Sequence, residues 1–484
     1  MPSVKRNFFY SSVLTTANYI FPLITFPYVS RVLGVANIGL VNFVDSIINY
    51  FILFSMMGMN VVGIREIAMR KGDRGNMSTT FSSLFLLNTF TTFLALIILI
   101  AVTLYTPVLR QNSDMMAIGA SKLLFNYFLI EWFYKGLEEF RYITIRSVLV
   151  KLIFVISVFI FVRVPEDYKV YYFLMAMTII ANAFINIYYS RHYISLKVKG
   201  VNPLLYFGPF FIMGIYSLLT SMYTSLNVAY LGFVSGELQV GYYSTAAKIF
   251  SIIIAFFTAF TGVMMPRLSS LREEGREGEF NRLVEKSKRI LISISIPLIV
   301  LAIIYAPAII RIIGGKGYEG AITPMRIMLP LIFIIGYEQI IIIQVLMPLK
   351  KDKVILFNSI VGALLGISLN IILVPLLQSI GSAFVWIISE LSVMVLAQLY
   401  LSRNTTLTFP WSLFAKGVAK NLLLLIIIAL CYIYITNLLL SFIIATTLTL
   451  FYYYITTFII FKDTEIIEMT MLTVNKLRLH RLHL

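Results

Sequence analysis

The chain has 484 residues, of which 59% are hydrophobic and 13% are charged. Soluble domains are about half apolar and about a quarter charged, so this composition argues against a soluble globular protein and indicates lipid as the solvent. A net charge of +17 would suggest a nucleic-acid partner in a soluble protein. In a membrane protein, basic loops instead set the orientation, and no nucleic-acid partner is predicted.

Apolar stretches long enough to cross a bilayer recur along the whole chain. A bilayer core of about 30 Å needs about 20 apolar residues per helix, and backbone in lipid must be helical to satisfy its own hydrogen bonds. We therefore predict an all-α integral membrane protein with about fourteen transmembrane helices. The predicted spans lie near residues 9–29, 39–59, 82–104, 116–136, 147–163, 171–190, 205–231, 244–265, 290–312, 326–347, 355–376, 380–401, 418–437 and 440–461.

The distribution of basic residues predicts the orientation. An even number of spans places both termini on one side of the membrane. With a cytoplasmic N-terminus, the inner segments carry about 30 of the 39 Lys and Arg residues and the outer loops about 7. We therefore expect a multi-pass protein of the bacterial inner membrane with both termini in the cytoplasm. The first span lacks a small-residue cleavage site and is expected to be retained.

Metal, disulfide and nucleotide chemistry find little support in the sequence. The single cysteine, Cys431, lies in an apolar run and can form no internal disulfide. His192, His480 and His483 lie in basic polar segments without the spacing of zinc ligands. Walker motifs are absent, so ATP is not the direct driver. No catalytic residue, metal or other cofactor is predicted.

Positions recur between the two halves of the chain. Three pairs share an offset of about 202 residues: Gly39 with Gly241, Arg65 with Arg267, and Arg70 with Arg272. We also pair Leu33-Gly34, before the second span, with Leu231-Gly232, before the eighth. Together these matches indicate an internal repeat rather than chance likeness among apolar segments.

A second stretch extends the repeat. Residues 137–191 match residues 349–403 at an offset of about 212. Six spans in each half make the repeats parallel, related by a pseudo-twofold axis along the membrane normal. We predict an N-lobe over 1–204, a C-lobe over 205–403 and two appended spans with a tail over 404–484. Lobes of this kind can rock about a central cavity, which favours a transporter over an enzyme or receptor.

Four segments resemble a known family. Phe26–Gly34 resembles the pattern Pro-Tyr-x-x-Arg-x-Leu-Gly, Trp132–Ile143 resembles Trp-x-x-x-Gly-Leu-Glu, Val240–Lys248 resembles Gly-Tyr-Tyr-x-x-Ala, and Pro266–Ser269 resembles Pro-Arg-x-Ser. As a set over roughly residues 5–400, they are similar to the Wzx-type O-antigen and capsule flippases. These belong to the multidrug/oligosaccharidyl-lipid/polysaccharide exporter superfamily.

The resemblance implies a fold, a substrate and partners. The fold would have fourteen helices with two six-helix lobes, and the substrate would be an undecaprenyl-diphosphate-linked oligosaccharide. A polysaccharide polymerase and the chain-length machinery are candidate partners besides the bilayer itself. One departure is Asn227 in the seventh span, where many relatives carry an acidic residue, so an ion-coupling role of that acid cannot lie at this position.

A flippase of this kind needs cations for the diphosphate, and arginine binds it best through paired hydrogen bonds. Four residues are candidates for a cationic substrate-binding cavity: Arg31, Lys248, Arg65 and Arg267. Lys248 could instead extend to the interface, and Arg31 could be an interfacial anchor. For Arg65 and Arg267 we favour plain positive-inside charge. Lys122, inside the fourth span, is expected to reach the outer interface.

Polar residues within spans are candidates for sugar contact or ion coupling. Asp45 aligns through the repeat with the neighbour of Lys248, and the two could form a charge pair or gate across the cavity. Asn49 lies one turn further on the same face and could bind sugar.

The remaining acids within spans divide into two kinds. Glu338 and Glu390 have no basic partner nearby in sequence, and either could contact sugar or couple an ion. Glu131 and Lys135 are four residues apart on one helix face, which favours a structural ion pair.

Several other functions remain as alternatives. A drug or cation antiporter of the same superfamily would want an acidic cavity, whereas a lipid II flippase would share the cationic one. A membrane glycosyltransferase or O-antigen polymerase would need a large outer loop with catalytic residues, but the longest predicted outer loops have only about a dozen residues. Nothing resembles the selectivity filter of a channel.

Overall fold

The structure is a computed structural model that describes residues 4–195 and 200–456. The predicted C-terminal tail and the end of the last predicted span lie outside these residues. Within them, every regular element is helical and no strand is present, which confirms the all-α prediction. The α-helices there are α1 (Val4–Met56), α2 (Met59–Met69), α3 (Arg74–Tyr105), α4 (Pro107–Gln111), α5 (Ser113–Tyr127), α6 (Glu131–Gly136), α7 (Phe140–Phe161), α8 (Tyr168–Ser190), α9 (Leu204–Glu273), α10 (Glu277–Ile304), α11 (Ala306–Ile313), α12 (Ile322–Met328), α13 (Leu331–Gln339), α14 (Asp352–Asn404), α15 (Trp411–Tyr434) and α16 (Leu438–Tyr454).

Three of the helices are too long for a single membrane crossing. Among the described residues, nine helical stretches are long and apolar enough to span a membrane. The three long helices, α1, α9 and α14, have 53, 70 and 53 residues. A straight helix of 53 residues would extend about 80 Å. Each is broken by one residue with non-helical backbone angles, namely Gly34, Gly236 and Gln378. The breaks fall where the sequence predicts a loop between two spans, while the count of fourteen stays a prediction.

The breaks in α1 and α9 correct one part of the repeat. Gly34 has φ 75° and ψ 170°, and Gly236 has φ 79° and ψ 174°. Positive φ favours glycine because it has no Cβ. The two breaks therefore have the same conformation at an offset of 202 residues, so Gly34 corresponds to Gly236. The pairing of Gly34 with Gly232 is wrong, since Gly232 lies within the helical part of α9 before the break.

The second halves of α1 and α9 cross at a pair of repeat-related glycines. A Cβ atom on Gly39 would lie 1.8 Å from the carbonyl oxygen of Glu237, and one on Gly241 would lie 2.2 Å from the carbonyl oxygen of Val35. Val35 and Glu237 are themselves repeat-related, so the contact is reciprocal. A reciprocal contact of this kind is what a twofold relation produces, and it supports the parallel repeat.

The chain forms two compact units. The first comprises the described residues of Met1–Lys248, Ile313–Pro324 and Ser359–Ser389, and the second those of Ile249–Ile312, Met325–Asn358 and Glu390–Leu484. The core of the second unit includes a cluster in which α15 and α16, the appended spans, pack against α10. The same unit contains a π-helical segment, Ile340–Leu346.

An aromatic cluster in the first unit explains one of the segments that resemble the family. Trp132, Phe133 and Tyr134 of α6 are fully buried. The Trp132 ring stacks on Phe81 with centroids 5.4 Å apart, and a Cβ on Gly63 would lie 2.6 Å from that indole. Buried aromatic rings contribute strongly to core stability. This segment therefore holds α6 in the core.

Candidate functional site

A row of polar residues lies on one face of α1 after its break. Their spacing of i, i+3, i+4 and i+7 places them on a single side of the helix. Polar groups inside a membrane span are costly when they face lipid, so such a face indicates a water-accessible surface. It lines a cavity of about 250 Å³ in the first unit, whose walls are Asn42, Asp45, Ser46, Asn49, Tyr50, Leu53, Val228 and Ser244.

Asp45 carries the negative charge of this cavity and is neutralised from a neighbouring helix. Its carboxylate forms an ion pair with the ammonium of Lys122 on α5 and accepts a hydrogen bond of 3.1 Å from the Asn49 amide. The Lys122 side chain is 8% exposed and that of Asp45 17%. The expectation that Lys122 reaches the outer interface is wrong. Its ammonium is buried instead, and the neighbouring carboxylate stabilises the charge there.

Lys248 lies on α9, one turn after Ser244 of the cavity wall. Its ammonium is 4.5 Å from the centroid of the Phe26 ring on the first half of α1, which is cation–π geometry. The carboxylate of Asp45 forms its ion pair with Lys122 and also acts electrostatically on Lys248, so the two predicted charges interact without the predicted direct pair. The charge of Lys248 lies against an aromatic face, where an anionic ligand could pair with it.

The cavity contains an unpaired polar group. The hydroxyl of Ser244 is buried and has no hydrogen-bond partner within the described part of the chain. Buried hydroxyls normally find a partner. A ligand hydroxyl or a water molecule in the cavity could supply it, and Asn49 and Asp45 offer further hydrogen-bonding groups in the same lining.

The predicted arginines lie outside the set of residues that line this cavity. Arg31 is exposed near the break of α1, where its guanidinium donates a 2.8 Å hydrogen bond to the carbonyl of Pro27. The side chain of Arg65 is 55% exposed and pairs with Glu66 at 2.9 Å. Arg267 is also exposed. Arg65 and Arg267 thus lie at the protein surface, and their role as positive-inside charge stays a prediction.

Glu338 and Glu390 meet in the second unit. They are 8% and 4% exposed, and their carboxyl groups are close enough to interact. Two buried carboxyl groups so close together disfavour a negative charge on both. Glu338 directly precedes Gln339 and the π-helical segment, an irregularity that is frequent at functional sites. The second carboxyl oxygen of Glu338 has no hydrogen-bond partner within residues 4–195 and 200–456.

Two further networks, one of hydrogen bonds and one of ion pairs, satisfy polar groups in the predicted spans. Asn227 accepts a 2.7 Å hydrogen bond from the Asn370 amide and donates one of 3.2 Å to the Tyr243 hydroxyl. This position is thus satisfied entirely by neutral groups.

The second network confirms a predicted ion pair. Lys135 lies 3.6 Å from Glu131, as expected for a structural pair. Sequence reasoning missed its third member, Arg146 of α7, which lies 2.7 Å from the same carboxylate.

Comparison with known proteins finds relatives over most of the chain. The family model described as polysaccharide biosynthesis protein matches residues 4–272, and the MatE family model matches residues 209–372. A protein of Escherichia coli (strain K12) that is named as an O-antigen transporter is 26% identical over 411 residues, which cover 84% of this chain and 98% of that protein.

Solved structures share the fold. The lipid II flippase MurJ in an inward closed conformation aligns with a TM-score of 0.78 at 16% identity, over 94% of this chain and 99% of its own. An inward-facing multidrug resistance MATE family transporter aligns with a TM-score of 0.62 at 13% identity, over 79% and 94% of the two chains. At these identities the likeness concerns the fold. Because the polysaccharide family model covers more than half of the sequence, the chain belongs to the polysaccharide biosynthesis protein family, the Wzx-type branch of the multidrug/oligosaccharidyl-lipid/polysaccharide exporter superfamily.

Proposed function

We propose that the protein is a flippase that moves an undecaprenyl-diphosphate-linked oligosaccharide from the cytoplasmic to the outer leaflet of the bacterial inner membrane. The product would feed O-antigen, capsule or exopolysaccharide assembly. Transport would proceed by alternating access between an N-lobe, 1–204, and a C-lobe, 205–403, with both termini in the cytoplasm. In this proposal the protein is a transporter and catalyses no covalent step.

The polar face of α1 is the observation that carries this proposal. Sugar hydroxyls both donate and accept hydrogen bonds, so they are bound by amides, carboxylates and hydroxyls together. Asn42, Asp45, Ser46 and Asn49 supply these groups from one helix face inside the membrane, and Ser244 faces them. The cavity of about 250 Å³ lies just below the usual range for small-molecule pockets, which suits part of an oligosaccharide.

Lys248 is the proposed partner of the diphosphate. Lys122 is already neutralised by Asp45, whereas the Lys248 ammonium rests against the Phe26 ring and interacts with Asp45 without a direct ion pair. An aromatic face stabilises a cation without cancelling its charge. Arg31, Arg65 and Arg267 are proposed to meet the diphosphate only on entry or exit, because they are exposed.

The pairing of the Asp45 carboxylate disfavours a drug or cation antiporter. A cationic drug would need a free carboxylate, and the carboxylate of Asp45 is paired with Lys122. A lipid II flippase would present the same diphosphate to the same cation, so it differs from our proposal in the group that the diphosphate carries.

Deletion of the gene tests the function. We expect surface polysaccharide to disappear and lipid-linked repeat units to accumulate on the cytoplasmic leaflet. Extraction of the lipid-linked pool, with and without exposure of intact spheroplasts to a glycosidase, measures both its amount and its leaflet. Normal polysaccharide together with a gain of drug sensitivity would favour the antiporter, and arrest of peptidoglycan synthesis would favour the lipid II flippase.

The carboxyl pair of Glu338 and Glu390 is proposed to couple transport to protons. We expect Glu338→Gln to keep the fold, because the amide can donate the hydrogen bond that a protonated carboxyl donates, and to make transport insensitive to the proton gradient. Polysaccharide export measured with and without a protonophore checks this. Glu273→Gln, at an exposed acid of the same unit, is the control. An unchanged protonophore response in Glu338→Gln would remove the pair from coupling.

A further inference from the structure

Two clefts at repeat-related positions share a basic end and an exposed apolar wall, and Glu139 also lines the first. One lies between α7 and α8 in the first unit and has a volume of about 630 Å³. The other lies between the first and last turns of α14 in the second unit and has a volume of about 420 Å³. One wall of each cleft corresponds at the offset of about 212 residues that relates the two halves, namely the start of α7 in the first cleft and the start of α14 in the second. Arg141 of the first cleft corresponds to Lys353 of the second, and Arg146 corresponds to Asn358.

The first cleft joins a basic end to an apolar wall. Arg141, Ile145, Leu149 and Ile153 succeed one another every four residues along α7, so they lie on one helix face. The three apolar members are 45%, 54% and 63% exposed, as expected for side chains that contact lipid tails. A ligand lying along this face would meet a guanidinium at one end and hydrocarbon along the rest.

The second cleft repeats this arrangement with more charge. Lys353 and Arg403 both line it, and its apolar wall includes Phe357 and Leu399, which are 59% and 49% exposed. The Tyr400 hydroxyl is a further potential donor. None of the residues that line this cleft in the described structure is acidic.

Each cleft also contains a buried N–H group without a hydrogen-bond partner in the described residues. In the first it is the Nε of Arg146 and in the second it is the Nδ2 of Asn358, and these side chains are 5% and 2% exposed. Buried donors are normally satisfied. The same deficit at corresponding positions of both halves indicates that an acceptor group enters each cleft.

We propose that the two clefts bind the phosphate head groups of anionic phospholipids. Basic side chains near a membrane surface attract anionic lipid, and the exposed apolar walls continue from the charged ends as lipid tails would. The sequence predicts both clefts at the cytoplasmic ends of their helices, in the leaflet where the basic loops lie. The clefts are separate from the cavity on α1, and this inference does not rest on the proposed transport function.

Lipid binding by the purified full-length protein tests the proposal. The protein is titrated in detergent with phosphatidylglycerol or phosphatidylcholine, and bound lipid is counted by native mass spectrometry. We expect retention of phosphatidylglycerol over phosphatidylcholine, and we expect the double variant Lys353→Ala/Arg403→Ala to weaken phosphatidylglycerol binding at least tenfold. Arg141→Ala should weaken binding at the first cleft alone, so that one fewer lipid is retained.

A variant with the same change in charge is the control. Lys351→Ala/Lys416→Ala removes two exposed basic residues that line neither cleft, and it should bind phosphatidylglycerol as the unmodified protein does. Equal loss in this control, equal binding of phosphatidylcholine, or unchanged binding in Lys353→Ala/Arg403→Ala would overturn the proposal. Stronger retention of an undecaprenyl-diphosphate lipid than of phosphatidylglycerol would also overturn it, because the clefts would then belong to the substrate path.

Discussion

Replacing Lys248 with alanine is expected to leave the protein in the membrane at its normal level and to stop the appearance of surface polysaccharide. The ammonium lies 4.5 Å from the Phe26 ring centroid, and a cation–π contact contributes about 0.5–2 kcal/mol, so its loss should not unfold the protein. A charge-assisted hydrogen bond to the diphosphate contributes about 1.5–3 kcal/mol. Its loss would reduce flipping by roughly ten- to a hundredfold.

Two measurements together decide the role of Lys248. Immunoblotting of membrane fractions gives the amount of protein, and extraction of surface polysaccharide gives the export rate. Lys248→Arg should retain most activity because it keeps the charge. Lys416→Ala, which removes an exposed lysine of α15, should export normally. Normal polysaccharide in Lys248→Ala would remove this residue from the substrate site.

Replacing Lys122 with methionine is expected to destabilise the fold. The change leaves Asp45, which is 17% exposed, as a carboxylate without its cation. Breaking a buried ion pair on one side costs about 3–5 kcal/mol, and access of Asp45 to the cavity places this case near the lower value. The double variant Asp45→Leu/Lys122→Met should recover stability, because an apolar pair of similar volume replaces the buried charges.

Thermal unfolding in detergent compares these variants. Lys169→Met is the control, since it breaks an exposed pair with Asp114 at 2.7 Å, and exposed pairs contribute little. The double variant should be stable yet inactive in export, because it removes the carboxylate from the cavity wall. A melting temperature of Lys122→Met equal to that of Lys169→Met would show that the Asp45 pair is not a stabilising contact.

The sequence predicts helical spans because apolar length is a local property, but it misses the break at Ile130 that divides the predicted span 116–136 into α5 and α6. It also predicts the breaks near Gly34 and Gly236, since glycine and loop polarity coincide there. The polar face of α1 was only half predicted: Asp45 and Asn49 were candidates, whereas Asn42 and Ser46 were missed. Their spacing was visible in the sequence, because all four follow one helical period.

Partners that are distant in sequence could not be predicted. The charge pair of Asp45 and Lys122 joins residues 77 positions apart, and periodicity does not reveal which helices pack together. The same holds for Glu338 and Glu390, which the sequence presents as two separate acids. Charge within a span shows that a partner is needed, but the packing of helices decides which residue provides it.

The crossing of α1 and α9 constrains how the two halves of the gene can diverge. Gly39 touches the carbonyl of Glu237, and Gly241 touches the carbonyl of Val35, so one interhelical separation sets both approaches. A methyl group at either site would force both backbones apart and would also loosen the contact at the other. Mutational drift at one glycine therefore carries a cost at its duplicate, and selection should preserve both together while the residues around them change independently.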